Sequence, residues 1–282
     1  MLVSFSRAAF LVPFFGALPS YFPFWAKSCE INSPHFHWFV YSDQIRSRRR
    51  VNRAVTLIPY QFDEMTADLN AALGIEITGH HLRRVCDYRL YFYWIRREAE
   101  SLDQFDFIGF TDVDMVYGDL MNFMPENMAD YAMISGDDGL PCGPFTLMRR
   151  SDLHRLKAWE GMRSVMEASD HHAFDESLEL RELLCENSPF HCQAQGLQPG
   201  ASRGMNSRHL CGLWRRGRVW VYDCWMRRRE GGFYHFSRHK NRARFKVDGT
   251  ALNESAWGIS KFGIGDSETG INKLKMLASL YV

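Results

Sequence analysis

Two aspartates in one short stretch carry the clearest chemistry in the sequence. Asp112 and Asp114 follow an apolar run in the segment FDFIGFTDVDMVYGDL, Phe105 to Leu120. Successive side chains of a strand point to opposite faces, so these two carboxylates project to the same side, about 6 to 7 Å apart. They repel one another unless a cation lies between them, and Mn²⁺ or Mg²⁺ takes such oxygen ligands while keeping positions for phosphates. The stretch therefore predicts a metal-diphosphate site.

The surroundings of the pair favour this interpretation over a chance match. Two acids in an exposed surface loop would give the same Asp-x-Asp pattern. Here a buried strand precedes the pair and a turn, Tyr117-Gly118-Asp119, follows it. We expect Asp119 to form that turn or cap a helix, rather than to act as a third ligand.

A second chemical feature lies late in the chain, in the segment GGFYHFSRHK. It contains His235 in an aromatic setting and Lys240 five residues later. An imidazole can complete the shell of a divalent metal, and an ammonium group can neutralise the charge on a departing diphosphate. Most histidines are not ligands, so His235 is predicted as a metal ligand only because it can pair with the acidic site.

Polar residues also follow the earlier predicted strands. One strand ends at Phe15-Gly16 and the next at Ser42-Asp43. Open α/β sheets bind ligands at the carboxyl ends of their strands, so we expect Phe15, Gly16 and Asp43 to contact a nucleotide. Asp43 is interpreted equally well as the start of a turn or as a helix cap.

Two further pairs of charged residues are candidates for the same site. Asp87 and Arg89 lie in the first turns of a predicted helix, where they could contact the nucleotide or form an ion pair that anchors the helix. Asp175 and Glu176 precede another predicted helix. They are the predicted catalytic residues, near a sugar, although Asp175 could equally cap that helix.

Strands and helices that alternate along the chain must position these residues. Hydrophobic periodicity predicts an α/β fold from the following elements: strands at Ala9–Phe15, Phe36–Tyr41, Phe105 to Thr111, Tyr131–Ser135, Phe145–Met148 and Val219–Cys224, and helices at Tyr21–Cys29, Gln61–Leu73, Val85–Glu100, Ser151–Met166 and Leu178–Leu184. Gly74 is a predicted left-handed cap, and Ser151 a predicted N-cap.

Composition limits what the site can belong to. The chain has 282 residues, of which 46% are hydrophobic, and a formal net charge of +1. It can bury a large core, and nothing in the overall charge indicates nucleic acid as a partner. Seven cysteines without a Cys-x-x-Cys pair fit reduced thiols in the cytoplasm. The short apolar N-terminal piece is broken by Pro13, so we expect neither a signal peptide nor a membrane span, and at most peripheral membrane contact.

Several blocks, in order, resemble a bacterial family of glycosyltransferase-like proteins of unassigned substrate. The resemblance covers roughly residues 9 to 245 and lies in PFFGALPSYFPFWAKSCEIN, WFVYSD, VCDYR, FDFIGFTDVDMVYGDL, GPFTLMRR, FDES and YHFSRHK. It is similar at a distance to glycogenin-type, galactosyltransferase-like and mannosyltransferase-like enzymes of the GT-A type. The resemblance implies a GT-A, Rossmann-like mixed central sheet flanked by helices, with residues 1–246 as the nucleotide-sugar domain and 247–282 as a tail packed on it.

The resemblance also implies a chemistry. Asp112 and Asp114 would bind Mn²⁺ or Mg²⁺ with the diphosphate of a nucleotide-sugar donor, with His235 as a further metal ligand and Lys240 on the diphosphate. The Gly between His and Lys and the Pro-Trp after Lys that are usual in glycogenin-like members are missing here. The sugar would pass to a hydroxyl of a glycan or lipid-linked acceptor, with retention of configuration, in surface polysaccharide or lipopolysaccharide synthesis.

Two other classes of protein remain open from the sequence. A non-catalytic module that binds a nucleotide-sugar or a glycan could use the same scaffold. A metal-dependent phosphohydrolase could also use a strand that ends in Asp-x-Asp, although the downstream Ser or Thr and Lys of such enzymes are not convincingly spaced here.

Overall fold

The computed structural model describes residues 6–78, 81–136, 140–185, 190–191, 197, 209–223 and 227–266. Its strands, in chain order, are β1 Ala8–Pro13, β2 Phe36–Ser42, β3 Arg49–Arg50, β4 Val55–Pro59, β5 Phe107–Thr111, β6 Met115–Tyr117, β7 Met133–Ser135, β8 Phe145–Arg149, β9 Phe190–His191, β10 His209–Arg215, β11 Arg218–Asp223, β12 Arg228–Gly231, β13 Phe233–His235, β14 Lys246–Val247, β15 Ala256–Ser260 and β16 Gly263–Asp266. Its α-helices are α1 Phe22–Glu30, α2 Phe62–Leu73, α3 Val85–Tyr88, α4 Phe92–Arg96, α5 His154–Ala158, α6 Met162–Glu167, α7 Leu178–Cys185 and α8 Ser237–Lys240.

The chain divides into two compact units, each built from several segments. Unit 1 comprises Met1–Leu18, Ser33–Asp112 and Pro125–Gln193. Unit 2 comprises Pro19–Asn32, Val113–Met124 and Ala194–Val282. The boundary directly after Asp112 assigns the two acids of the Asp-x-Asp motif to different units.

Unit 1 is built on a mixed sheet flanked by helices. Among the described residues, its strands lie in the order β3-β4-β2-β1-β5-β8-β7-β9. The four strands β4, β2, β1 and β5 are parallel, whereas β8 runs antiparallel to β5. Counted along the chain, these parallel strands have the order 3-2-1-4, which is that of a Rossmann half in which ligands bind at the carboxyl ends. The predicted α/β class with a mixed central sheet is confirmed.

The core of unit 1 explains why its strands read as nearly continuous apolar runs. All five residues of β5 are buried, as are the first five of β1, because both faces of the sheet are covered. Helix α2 buries Phe62, Met65 and Leu69 and ends at Gly74, whose φ of 65° confirms the predicted left-handed cap.

Two predicted long helices are interrupted in the structure. The expected helix Val85–Glu100 is α3, a 3₁₀ turn over Arg89–Tyr91, and α4. The expected helix Ser151–Met166 is likewise divided into a 3₁₀ turn, α5 and α6, and Ser151 lies within that first turn instead of capping it. The first interruption is at Arg89, whose side chain bonds to groups outside its own helix. The second is at residues 159–161, where Trp159 and Gly161 lie between α5 and α6.

Unit 2 combines helix α1 with two small sheets. Strands β6 and β13 form an antiparallel pair, and β12-β11-β10-β15-β16-β14 form a second sheet. Stacked Trp214 and Trp257, 5.2 Å apart between ring centroids, pack beside Phe24 of α1. Residues of the predicted tail supply β15, which pairs with β10, so residues 256–260 belong to this sheet. None of the helices in the described part of the chain is long and apolar enough to span a bilayer.

Candidate functional site

In unit 2, backbone pairing brings a late histidine next to the second acid of the motif. Asp114 immediately precedes β6, and β13 pairs with β6 so that His235 lies opposite Met115. The next residue, Phe236, donates its backbone N–H to the backbone oxygen of Asp114 at 3.1 Å. Helix α8 begins at Ser237, directly after Phe236, and ends at Lys240. The fold of this unit therefore brings together three residues selected from the sequence, Asp114, His235 and Lys240.

The carboxylate of Asp114 is buried and held by these two residues. Its side chain is 3% exposed, and its Oδ2 lies 2.7 Å from Lys240 Nζ and 3.5 Å from His235 Nε2. Burial raises the pKa of an aspartic acid, but the interactions with His235 and Lys240 outweigh it and hold the pKa of Asp114 well below its ordinary value. Asp114 is consequently ionised throughout the physiological range.

The donor set in unit 2 fits a divalent cation. A carboxylate oxygen and an imidazole nitrogen are ligands that Mn²⁺ accepts. Two ligands at neighbouring corners of an octahedron with bonds of about 2.1 Å are about 3 Å apart. The 3.5 Å between Asp114 Oδ2 and His235 Nε2 is close to this spacing. One cation can therefore contact both atoms after a small adjustment.

Buried polar groups of helix α1 fix the strand that follows Asp114. Ser28 Oγ accepts the N–H of Tyr117, and Asn32 both donates to the backbone oxygen of Gly118 and accepts the N–H of Leu120. A Cβ on Gly118 would lie 2.9 Å from the backbone oxygen of Gly231, so only glycine fits. Ser28 and Asn32 are not predictable from the sequence, because no local pattern links them to a turn about 90 residues later.

In unit 1, Arg89 is the centre of an ion-pair cluster. Its guanidinium donates to Asp112 Oδ1 at 2.9 Å, to the backbone oxygen of Gly143 at 2.9 Å, and to Asp175 Oδ2. It also lies over the ring of Phe110, 4.4 Å from the centroid. The side chain of Arg89 is 5% exposed and that of Asp175 3%, whereas that of Asp112 is 35% exposed. Arg89 thus orients the first acid of the motif while leaving it accessible.

The same cluster fixes the loop before β8. The backbone N–H of Gly143 donates to Glu176 Oε1 at 2.9 Å, while its carbonyl accepts from Arg89. A Cβ on Gly143 would lie 2.3 Å from Glu176 Oε1. A larger residue at position 143 would therefore displace the carboxylate of Glu176. Asp112, Arg89, Asp175 and Glu176, chosen separately from the sequence, form one network in unit 1.

Asp175 differs from Asp114 in its ionisation. Burial raises the pKa of Asp175 to about 6, although Arg89 opposes the shift. It does not cap α7, because Ser177 Oγ accepts the N–H of Leu180 at the start of that helix. Asp175 therefore exchanges its proton near neutral pH.

Asp87 fixes the turn that leads to Asp175. Both of its carboxylate oxygens accept backbone N–H groups, from His172 at 3.1 Å and Phe174 at 3.0 Å. A ring nitrogen of the exposed His171 lies within 4.8 Å of ligand atoms of Asp87 and Asp175. Both oxygens of Asp87 thus hold backbone groups of this turn. The ion pair that anchors the helix, the alternative left open by the sequence, is formed by Arg89 with Asp112 and Asp175.

Three predicted nucleotide-binding residues lie at the carboxyl ends of β1 and β2. The N–H of Gly16 donates to Asp43 Oδ1 at 2.8 Å, so Asp43 binds the turn after β1. Phe15 packs edge-on against Phe62, with 5.4 Å between centroids. Their contact with a nucleotide stays a prediction. Asp119 is confirmed as a cap, because its side chain accepts the N–H of Met121.

Comparison with known proteins gives a family without an assigned activity. A family model described as "Family of unknown function (DUF6625)" matches residues 10–263. No curated protein matches the chain.

Two solved structures show weak similarity to the chain. One is a mutant of Drosophila β1,4-galactosyltransferase 7 in complex with manganese, UDP-Gal and xylobiose, with a TM-score of 0.27, 15% identity, and coverage of 54% of this chain and 52% of that one. The other is a glycosyltransferase involved in glycosylation of the major capsid of PBCV-1, with a TM-score of 0.28, 9% identity, and coverage of 54% and 64%. The matches thus span less than two thirds of those chains, and similarity this low leaves the site's own residues to indicate the function.

Proposed function

We propose that this chain, which belongs to the family of unknown function DUF6625, is a metal-dependent glycosyltransferase that moves a sugar from a nucleotide-diphosphate sugar to a hydroxyl acceptor. One observation carries the proposal. A buried, ionised aspartate of an Asp-x-Asp motif lies beside an imidazole and an ammonium group, with its Oδ2 3.5 Å from His235 Nε2 and 2.7 Å from Lys240 Nζ. This combination suits a cation and the diphosphate that it accompanies.

We assign Asp112, Asp114 and His235 as the ligands of Mn²⁺ or Mg²⁺. The covalent chain supports including Asp112, since residues two apart have Cα atoms at most about 7 Å from one another. When bound, the cation would act as a Lewis acid that stabilises the departing nucleoside diphosphate. Arg89 keeps the carboxylate of Asp112 oriented. We propose that Lys240, whose Nζ lies 2.7 Å from Asp114 Oδ2, neutralises a phosphate oxygen of the leaving group.

The donor nucleotide is proposed to bind at the carboxyl ends of the parallel strands in unit 1. Phe15, Gly16 and Asp43 lie there, at the position where sheets of this order bind nucleotides. Asp87 and Arg89 belong to the same proposed site, Asp87 by holding the turn at His172 and Arg89 by orienting the acidic groups.

Asp175 and Glu176 are the proposed catalytic carboxylates. A pKa of about 6 makes Asp175 suitable for proton exchange with an acceptor hydroxyl near neutral pH. Glu176, which already accepts the N–H of Gly143, ties the loop of residues 140–144 to this position. Retention of configuration is proposed by resemblance alone.

The wider context is also a proposal. We propose residues 1–246 as the catalytic domain and 247–282 as a tail, a glycan or lipid-linked acceptor, and a cytoplasmic protein with peripheral contact to the inner membrane. The pathway would be surface polysaccharide or lipopolysaccharide synthesis.

A donor panel tests the proposal. The protein is incubated with Mn²⁺ and a set of UDP- and GDP-sugars, with and without glycan acceptors, and nucleotide release is measured. We expect release with one donor and none from Asp114→Ala. Asp119→Ala is the matched control, because Asp119 is a nearby acid on the other side of β6 whose side chain accepts the Met121 N–H. Circular dichroism verifies that both variants fold.

The outcomes separate the three classes of protein. Equal nucleotide release by wild type and Asp114→Ala would contradict the assignment. Calorimetric binding of a nucleotide-sugar without turnover would indicate a binding module. Phosphate release from simple esters without any sugar would indicate a phosphohydrolase.

A further inference from the structure

The two units of this nearly neutral chain carry opposite charge. Unit 2 has 17 Lys and Arg against 9 Asp and Glu, a formal charge of +8. Unit 1 has 17 against 24, a formal charge of −7. The net charge of +1, which gave no indication of nucleic acid as a partner, thus conceals a strongly basic unit. Charge asymmetry of this kind within a chain indicates an anionic partner for the basic part.

Much of the exposed basic charge of unit 2 lies at one end of its larger sheet. The arginine face consists of Arg215, Arg216, Arg218, Trp220 and Arg228. In the antiparallel register Arg215 is opposite Arg218. Trp220 and Tyr222 share the face of Arg218 because side chains alternate along β11, and Arg228 is opposite Tyr222 on that same face. All four arginines are exposed, and Trp220 is half-buried.

The contacts within the arginine face leave most of its charge available. Arg218 forms an ion pair with Glu230. Among the residues that the structure describes, no carboxylate pairs with Arg215, Arg216 or Arg228. The guanidinium carbons of Arg218 and Arg228 lie over the Trp220 ring, 4.9 and 4.3 Å from its centroid.

An exposed apolar residue adjoins the turn between β10 and β11. Ile31 has 37% of its surface exposed. It lies beside Gly217 in that turn, because a Cβ on Gly217 would be 3.3 Å from Ile31 Cδ1. An aliphatic side chain therefore lies beside the turn that contains Arg216 and Gly217.

From this arrangement we infer that the arginine face docks on the surface of an anionic lipid bilayer. Guanidinium groups pair with lipid phosphates, a tryptophan with a polar N–H suits the headgroup region, and Ile31 can enter the acyl boundary. A nucleic acid or glycan would use the Trp220 ring as a stacking platform. Arg218 and Arg228 cover that ring, so the observations favour the lipid surface.

Vesicle co-sedimentation tests the inference with the full chain. Wild type is mixed with vesicles of phosphatidylcholine alone, or of phosphatidylcholine with phosphatidylglycerol, at low and at physiological ionic strength. We expect binding only to the anionic vesicles, weakened by salt. The triple variant Arg215→Glu, Arg216→Glu, Arg228→Glu should lose roughly a hundredfold in apparent affinity, because each basic residue near an anionic surface contributes about fivefold.

A second triple variant separates the face from net charge. Arg46→Glu, Arg49→Glu, Arg83→Glu makes the same change in charge at exposed positions of unit 1 and should keep wild-type binding. Equal losses in both triple variants would overturn the inference, as would wild-type binding to neutral vesicles or to polyphosphate in place of anionic vesicles. The wild-type comparison between the two vesicle types needs no variant, and thermal unfolding checks that both variants fold.

Discussion

Two buried aspartates, one in each unit, respond to burial in opposite ways. The side chains of Asp114 and Asp175 are each 3% exposed, and burial raises the pKa of a carboxyl group. In unit 2 the interactions of Asp114 with His235 and Lys240 exceed that effect, so its pKa is low. In unit 1 Asp175 has only the guanidinium of Arg89, which also bonds to Asp112 and Gly143. This interaction does not outweigh the effect of burial, so the pKa of Asp175 is raised to about 6.

The difference indicates different work for the two acids. A permanently charged carboxylate suits the binding of a cation, whereas one that exchanges its proton near neutrality suits general acid or base chemistry. The neighbours of each carboxylate, and not its burial, therefore distinguish the proposed metal ligand Asp114 from the proposed catalytic residue Asp175.

The largest expected effect is on metal binding and turnover. Asp114→Asn removes the charge but keeps the shape, and we expect Mn²⁺ affinity to fall by at least about a hundredfold and donor turnover by about a thousandfold. Asp175→Asn should bind Mn²⁺ like wild type, because Asp175 is not a proposed ligand. Electron paramagnetic resonance of free Mn²⁺ measures the affinity. If both variants lost Mn²⁺ equally, the distinction between the two acids would fail.

Removing the guanidinium tests the unit 1 cluster. Arg89→Met leaves Asp175 buried without its cationic partner, and we expect a loss of about 3 to 5 kcal/mol in the free energy of unfolding, measured in urea. Arg97→Met is the matched control, since Arg97 and Asp103 form an ion pair that solvent screens, with both side chains about half exposed, and its loss should change the free energy of unfolding far less. The double variant Arg89→Met, Asp175→Asn should recover part of the loss; no recovery would contradict the ion-pair account.

Asp175 should give stability an unusual pH dependence. Its folded pKa of about 6 lies above the unfolded value of about 3.9, so the folded state binds more protons between these values. Stability from this group is therefore present at low pH and is lost as pH rises from about 4 to 6, by about 2 to 3 kcal/mol. Relative to Asp175→Asn, wild type should lose that much across the window. A difference that stays constant from pH 4 to pH 7 would refute the raised pKa.

The smallest expected effect concerns the loop glycine. Gly143→Ala places a Cβ against Glu176 Oε1 and should cost about 1 to 2 kcal/mol, as Glu176 and Arg89 give way. Gly249→Ala is the control, because a Cβ there meets nothing within 4 Å and should change stability by less than about 0.5 kcal/mol. Chemical unfolding of both variants provides the comparison, and equal costs would show that residue 143 is not confined.

The sequence predicts the strands and the acidic motif well, for a local reason. Runs such as Phe107 to Thr111 are buried on both faces, so burial appears in the sequence itself. Asp114, His235 and Lys240 were chosen by residue type, and the structure brings them together. The Gly74 cap was also predictable from the sequence, since α2 ends where the helical spacing of apolar residues ends.

Long-range partners are what the sequence could not provide. The interrupted helix at Arg89 reflects bonds to Asp112, Gly143 and Asp175, which lie 23 to 86 residues away. The net charge of +1 likewise does not reveal the basic unit, because it is a sum over two units of opposite sign. Hydrophobic periodicity describes single segments and composition describes the whole chain. Neither shows which segments contact one another in the fold.

The short ribbon of β6 and β13 has a consequence for how this chain can change. Residues 118–232 separate the two strands in sequence, yet the spacing of Asp114 and His235 is set by the pairing of Met115 with His235 and by the Phe236 N–H on the Asp114 carbonyl. Insertions in the middle of that interval, away from the bonded ends Gly118 and Gly232, leave the register untouched, provided that the ribbon still closes. A single deletion at Gly232, by contrast, would turn His235 to the opposite face. The spacing of the proposed ligands Asp114 and His235 thus tolerates distant insertions but not a one-residue shift beside the ribbon.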